Sequence, residues 1–203
     1  MTYVRPTELE FRAGWFVAVD PGVDKPAAAV FDRGELVSAS RVKVPRAVNQ
    51  IDDEGERARQ VAALIEDWAR NVAQGTVWGG AMFVVSPVAV VYELPQIYQR
   101  RKSKGNPNQL VPLAMIGSSV ATGFRARVSS PKPGEWIGGI PKDTKGDPWK
   151  SPRGGIIWGR LRAHERERVQ ATHDAVDATG LGLWALGRLD KVYPGSSRGQ
   201  PST

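Results

Sequence analysis

Residues 15–22 read WFVAVDPG, a buried strand that runs directly into an acidic turn at Asp20. A second apolar run, residues 88–92, ends in the same way at Glu93. A carboxylate at the end of a hydrophobic strand is costly to place beside a core, so it tends to persist where something pairs with it. Together with two acids at the start of the last helix, Asp174 and Asp177, the strand ends indicate one shared cation.

Working outward from this stretch, the chain opens with a meander. Apolar runs at 15–19, 27–31 and 36–44 are separated by glycine-bearing turns and predict three strands. From Glu54 the apolar spacing becomes that of an amphipathic helix. Because Pro87 is hard to place inside a central strand, a fourth strand is expected over 88–93, with the composition of a strand buried on both faces.

The second half of the chain alternates between helix and strand. Helical spacing at 110–124 is followed by a short strand near 126–129, a long Gly-, Pro- and Lys-rich connection at 131–155, and helical patterns over 156–170 and 174–189. This order predicts an α/β fold with a mixed five-stranded sheet flanked by helices. We expect one domain at 14–191, a loose lead-in at 1–13 and a disordered tail at 192–203.

The composition favours a polyanionic partner. The 203 residues carry 28 Lys and Arg against 21 Asp and Glu, for a formal charge of +7. Basic side chains that neutralise phosphates release counterions, so nucleic acid is the first candidate, with an ordinary basic surface as the alternative. With no cysteine, no signal-like start and no apolar stretch long enough for a bilayer, a cytoplasmic setting is expected, or the host cytoplasm if a phage encodes the chain.

The acids at the last helix share its apolar stripe. Stepping back along that stripe from Ala178 gives Asp177 and Asp174, so both carboxylates should face the strand ends. Four carboxylates without cysteine select hard cations such as Mg²⁺ or Mn²⁺, and two such ions can support phosphodiester hydrolysis. His173 can assist by orienting water or moving a proton.

Each of these residues also has a simpler interpretation. Asp174 and Asp177 can cap the helix and complement its dipole. Asp20 can serve only the turn that it forms with Pro21 and Gly22. His173 can be a packing residue at the helix start. The metal hypothesis therefore rests on the coincidence of all four acids.

In three short segments, 17–22 (VAVDPG), 91–96 (VYELPQ) and 173–178 (HDAVDA), the sequence resembles the RuvC-like Holliday-junction resolvases of the RNase H-like superfamily, especially phage-encoded members. The resemblance implies an RNase H-like fold, branched DNA as substrate, and Asp20 as a ligand shared by two metal ions. It further implies Glu93 and Asp177 as ligands and Asp174 at a position where relatives carry Asp or His. Residues 23–28 and 136–168 depart from the cellular members, which leaves the preferred DNA structure open.

Basic residues near these motifs are the expected DNA contacts, with one aromatic residue that can stack on an unpaired base. They are Tyr98, Arg100, Arg101, Lys102, Lys104, Lys142, Lys145, Lys150 and Arg153. Paired incisions in a four-way junction call for a symmetric homodimer. Three other hypotheses stay open: an enzyme acting on RNA–DNA hybrids, a non-catalytic DNA-binding module, and an actin-like ATPase or sugar kinase, whose opening meander is similar.

Overall fold

The computed structural model describes residues 7–76, 86–94, 110–136, 140 and 146–189. Its strands are β1 Trp15–Asp20, β2 Ala27–Asp32, β3 Glu35–Arg41, β4 Ala89–Tyr92 and β5 Arg127–Ser129. Its helices are α1 Glu8–Ala13, α2 Arg46–Asn49, α3 Glu54–Thr76, α4 Leu110–Phe124, α5 Pro133–Trp136, α6 Pro152–Arg160, α7 Ala163–Arg166 and α8 His173–Ala185. A short 3₁₀ turn, Pro148–Lys150, precedes α6.

The strands form one mixed sheet in the order β3-β2-β1-β4-β5. Strands β1, β2 and β3 are an antiparallel meander, whereas β4 pairs with β1 and β5 pairs with β4 in parallel. Antiparallel neighbours can be joined by tight turns, but each parallel neighbour needs a crossover, and α3 and α4 lie in those crossovers. The predicted five-stranded mixed sheet is confirmed.

Helices cover both faces of this sheet. Alternate residues of β1 point to opposite sides: Phe16 and Ala18 pack on the side of α8, while Val17 and Val19 pack on the side of α3 and α4. All four residues of β4 are buried, as the continuous apolar run predicted. We refer to these sides as the α8 face and the α3/α4 face.

The α8 face depends on a close approach of helix to strand at Gly182. A Cβ added there would overlap the ring of Phe31 on β2. That ring stacks nearly parallel on Phe16 of β1, with centroids 5.0 Å apart, so it cannot move aside without disturbing the core. The glycine in the middle of this helix is therefore a packing requirement, as its unfavourable helix propensity indicated.

The substitution Gly182→Ala is expected to lower the free energy of unfolding by about 1–3 kcal/mol, the usual range for overpacking a core. Urea denaturation with a two-state fit measures it. The matched control is Gly159→Ala in α6, where nothing lies within 4 Å of an added Cβ. Alanine there should leave stability unchanged or raise it slightly. Equal effects at the two sites would contradict the role given to Gly182.

Residues 8–13 correct the expectation of a loose lead-in. They form α1, which a capping box begins: Glu10 N donates to Thr7 Oγ1 at 3.3 Å, and Thr7 N donates to Glu10 Oε2 at 2.7 Å. Phe11 is buried and meets Phe16 edge to face, with centroids 4.8 Å apart. The Thr-x-x-Glu spacing was a readable signal for this helix.

The connection 131–155 also carries more structure than expected. It contains α5, the 3₁₀ turn and the first residues of α6, which begins at Pro152 because Ser151 Oγ accepts from Gly154 N at 3.0 Å. The helical pattern predicted over 156–170 divides at Leu161 into α6 and α7. Past α7, Val169 forms a parallel bridge with Ala39 at the edge of β3.

The last helix ends earlier than predicted. It stops at Ala185, two residues before Gly187, which has φ 66°, a conformation that favours glycine and ends helices. The predicted tail at 192–203 lies outside the described residues, so the tail and the domain bounds stay predictions. Among the described residues, no helix is both long enough and apolar enough to cross a membrane.

Candidate active site

Two acids lie side by side at the carboxyl ends of the central strands. The parallel register pairs Ala18 with Val91 and Val19 with Tyr92, so the next step places Asp20 beside Glu93. Neighbouring strands are about 4.8 Å apart. Because Asp20 and Glu93 each follow by two positions a residue of the α8 face, Ala18 and Val91, their side chains start toward that same face.

The row of residues continues across the meander. Asp20 pairs with Ala27, and Ala27 pairs with Arg41 at the end of β3. The Arg41 guanidinium donates to Asp174 Oδ2 from Nη2 at 2.6 Å and from Nε at 3.2 Å. This contact ties the start of α8 to the same end of the sheet. We call Asp20, Glu93, Asp174 and Asp177 the acid row.

The start of α8 settles one alternative for its acids. The N-cap is Thr172, whose Oγ1 accepts from Ala175 N at 3.3 Å. Asp174 is instead held by Arg41, and Asp177 lies one turn into the helix with only 5% of its surface exposed. Neither aspartate is therefore the N-cap, although Asp174, in the first turn, keeps a favourable position relative to the helix dipole.

Asp177 and Glu93 each have a neighbour that the sequence did not predict. Arg153 Nη1 donates to both carboxylate oxygens of Asp177, at 3.0 and 3.1 Å. Trp136 Nε1 donates to Glu93 Oε2 at 2.9 Å. The Arg153 guanidinium also lies 5.7 Å from the centroid of the Trp136 ring. Trp136 and Arg153 thus connect the strand acid Glu93 to the helix acid Asp177.

The donor chemistry of the acid row suits a hard cation, because carboxylate oxygens are the ligands that Mg²⁺ and Mn²⁺ prefer. In the side-chain arrangement seen here, however, no three His, Asp or Glu residues among those described converge as a metal-binding group. The two helix acids are instead paired with arginines, Asp174 with Arg41 and Asp177 with Arg153. The set therefore fits a cation by residue type, while its helix acids are paired with arginines and Glu93 accepts from the Trp136 indole.

His173, the predicted assisting residue, is the first residue of α8 and precedes Asp174. Its Nε2 is buried and has no hydrogen-bond partner within the described part of the chain. An imidazole nitrogen in that state has a hydrogen-bonding capacity that the described residues leave unused. Its catalytic role stays a prediction.

Seven of the predicted DNA contacts lie outside the described residues: Tyr98, Arg100, Arg101, Lys102, Lys104, Lys142 and Lys145. Of the other two, Lys150 is exposed at the end of the 3₁₀ turn. The side chain of Arg153 is only 13% exposed and is bound to Asp177. Arg153 thus lies in the acid row's own surroundings, and its contact with DNA stays a prediction.

Sequence reasoning missed Arg41 and Trp136 as members of this site. Arg41 had a usable signal, because it ends the third strand of a meander whose first strand ends at Asp20. Trp136 had none, since it comes from a Gly- and Pro-rich connection whose path depends on tertiary contacts.

This sheet order, a three-stranded meander extended by two parallel strands and covered by helices on both faces, is that of an RNase H-like fold. The structure of Thermus thermophilus RuvC is similar to this chain at a TM-score of 0.51, with 14% identity over 83% of this chain and 91% of RuvC. Thermus thermophilus RuvC in complex with Holliday junction substrate gives 0.53, with 14% identity over 88% of this chain and 97% of that one.

The yeast mitochondrial Holliday junction resolvase Ydc2 matches at a TM-score of 0.47, with 13% identity over 90% of this chain and 86% of Ydc2. No protein-family model matches the sequence. No curated protein matches it either. At 14% identity, the RuvC similarity establishes a shared fold.

Proposed function

We propose that this chain is a metal-dependent, structure-specific endonuclease that hydrolyses phosphodiester bonds in Holliday junctions or other branched DNA. The observation that supports the proposal is the acid row on an RNase H-like sheet: Asp20 and Glu93 follow neighbouring parallel strands, and Asp174, in the first turn of α8, is tied by Arg41 to the same end of the sheet. Asp177 follows one turn later in α8. The RuvC structure with a Holliday junction supports branched DNA as the substrate class.

In this proposal the chain's own residues position the reaction. Asp20 and Glu93 follow the central strands β1 and β4, and Asp177 is buried in α8, so each of these three proposed ligands is carried by a rigid element. Asp174 is the fourth acid of the proposal, and His173, its neighbour in the sequence, would orient a water or hold a proton. Two Mg²⁺ ions, with Mn²⁺ as a substitute, would supply water activation and charge neutralisation at the phosphate when bound.

The partner and assembly follow from the same proposal. A surplus of seven positive charges suits a phosphate backbone. Lys150 and the basic residues at 100–104 and 142–145 are the proposed DNA contacts, with Tyr98 as a stacking residue. Two incisions related by symmetry require two active sites, so the proposed enzyme acts as a homodimer. Cytoplasm, or the host cytoplasm for a phage protein, is the proposed setting.

One observation favours a second candidate, a DNA-binding module without catalysis. The helix acids are held by Arg41 and Arg153, and an acid row whose charge arginines neutralise permanently would not recruit a cation. A protein of this kind would bind a junction tightly and leave it intact.

Incubation of the protein with a four-way junction, a flap, a linear duplex and an RNA–DNA hybrid, each with Mg²⁺ and with EDTA, tests the proposal. We expect incision of the four-way junction with Mg²⁺ and intact strands with EDTA, since carboxylates alone cannot neutralise the phosphate. Denaturing gels of end-labelled strands measure it. Preferred cutting of the hybrid would show that RNA–DNA hybrids, and not branched DNA, are the substrate. Tight junction binding without cutting in Mg²⁺ or Mn²⁺ would favour the non-catalytic module.

A further inference from the structure

We propose that Arg153 is the resident counter-ion of Asp177, and that a divalent cation reaches this carboxylate only by displacing the Arg153 guanidinium. The inference rests on the proposed function, because it concerns the same acid row. It accounts for the difference between a donor set that suits a hard cation and a side-chain arrangement in which no described trio of acids is assembled to hold one.

Arg153 contacts Asp177 in the way that a cation bound by both carboxylate oxygens would. A single nitrogen, Arg153 Nη1, lies within hydrogen-bond distance of both Asp177 oxygens, at 3.0 and 3.1 Å. Arginine usually engages a carboxylate as a fork, with two parallel N–H···O bonds from two nitrogens. Here Nη2 is directed instead to the carbonyl oxygen of Ile140, at 3.3 Å. The cationic nitrogen therefore faces the edge of the carboxylate that a bidentate cation would use.

Burial makes this ion pair strong enough to compete with a cation. The side chains of Arg153 and Asp177 are 13% and 7% exposed, so solvent screens their attraction little. The corresponding pair, Arg41 and Asp174, is more open, at 37% and 21%. A cation that binds Asp177 must therefore overcome the stronger of the two arginine contacts, and Arg153 should lower metal affinity more than Arg41 does.

Apart from Asp177, the contacts of the Arg153 guanidinium among the described residues are long, at 3.3 Å to the Ile140 carbonyl oxygen and 5.7 Å to the centroid of the Trp136 ring. Its Nε is buried without a hydrogen-bond partner among the described residues, which carries a desolvation cost. It also occupies the second position of α6, where the helix dipole disfavours a cation. The negative charge of Asp177 thus holds the guanidinium in this position. Once another cation neutralises that charge, the guanidinium loses its main stabilising contact and moves away.

Trp136 links the displacement of Arg153 to the strand acid Glu93. Its indole donates to Glu93 at 2.9 Å, and its ring lies 5.7 Å from the Arg153 guanidinium carbon. Loss of Arg153 from Asp177 therefore changes the environment of the ring that holds Glu93. The release of Asp177 from Arg153 and the release of Glu93 from Trp136 should therefore be coupled.

The test measures metal binding directly, on the full chain without DNA, by isothermal titration calorimetry with Mg²⁺ and with Ca²⁺. We expect Arg153→Met, which keeps the aliphatic length and removes the charge, to bind each ion at least about tenfold more tightly than the natural chain. Its thermal unfolding temperature should fall in EDTA, because the buried Asp177 carboxylate loses the Arg153 charge, and should recover in saturating Mg²⁺.

The matched control is Arg127→Met. Arg127 also pairs with a carboxylate, that of Glu10, but it lies at the other end of the sheet, where β5 begins opposite Ala89. Its substitution should leave both metal affinities unchanged. Arg41→Met should give a smaller increase than Arg153→Met, in line with its more exposed pair.

Unchanged or weaker metal binding by Arg153→Met would overturn the proposal, because the guanidinium would then not occupy a cation's place. Should that variant fail to fold in EDTA, Arg153→Lys supplies the same comparison, since a strongly hydrated ammonium should hold the buried carboxylate less well and permit tighter Mg²⁺ binding. Natural affinity in Arg153→Lys would equally refute it. Tighter metal binding without junction cleavage would refute the proposed function alone.

Discussion

The substitutions Asp20→Asn and Glu93→Gln are each expected to slow cleavage of a four-way junction at least about a hundredfold while leaving junction affinity nearly unchanged. Each removes one negative oxygen from adjacent strand ends. Loss of a metal-binding carboxylate removes several kcal/mol of charge stabilisation in the transition state, and about 2.7 kcal/mol corresponds to a hundredfold. Single-turnover cleavage and a binding titration in Ca²⁺ measure the two quantities separately.

The chain offers a matched control in Asp32→Asn. Asp32 also ends a strand of the meander, but the register places it opposite Trp15, at the far end of the sheet from Asp20. Asp32 Oδ2 lies 3.8 Å from Nε of the exposed Arg33 side chain. We expect cleavage by this variant within about twofold of the natural chain, a rate difference below about 0.5 kcal/mol. Retained cleavage by both Asp20→Asn and Glu93→Gln would refute the assigned site.

Much of this site could be predicted because its acids belong to patterns of residues that are close together in the sequence. A strand that ends in an acid is visible in the sequence, as at Asp20 and Glu93, and helical spacing places Asp174 and Asp177 on one stripe. The sheet order then follows from short turns between antiparallel strands and longer crossovers between parallel ones. Those regularities depend on residues close together in the chain.

The arginine contacts could not be predicted in the same way. Arg41 and Asp174 are 133 residues apart, and Arg153 reaches Asp177 from a separate helix. Which of 28 basic side chains meets a given acid depends on how the crossovers pack, and every long basic side chain looks alike in sequence. The sequence interpretation therefore assigned Arg153 to DNA, whereas the structure shows its contact with an acid of the site.

Glu165 shows the same limit at a place away from the acid row. It stands among charged residues, between Arg162 and Arg166 and close to Glu167, yet its side chain is fully buried. It accepts hydrogen bonds from the backbone nitrogens of Leu36 and Arg162, both at 2.8 Å, and from Arg188 at 2.8 and 2.6 Å. One carboxylate thereby joins β3, α7 and the segment after α8.

The substitution Glu165→Gln is expected to lower the free energy of unfolding by about 3–5 kcal/mol, the range for breaking a buried ion pair by removing one partner. The amide leaves Arg188 charged and poorly compensated, with its side chain only 14% exposed. Urea denaturation at pH 7 measures the change, and Glu167→Gln is the control because Glu167 is an exposed neighbour. That control should stay within about 0.5 kcal/mol of the natural chain.

The pH dependence of stability separates a charged role for Glu165 from a purely steric one. Burial acts to raise the pKa of Glu165, but hydrogen bonds from Arg188, Leu36 and Arg162 outweigh it and bring the pKa to about 2. A folded-state pKa below the unfolded one gives stability that is complete above the ordinary value of 4.5 and is lost as the pH falls from there toward 2. The free energy of unfolding of the natural chain should therefore fall as the pH is lowered through this window. The difference in that free energy between the natural chain and Glu165→Gln should shrink over the same range. A difference that stays constant from pH 7 to pH 3 would show that the carboxylate's charge does not stabilise the fold.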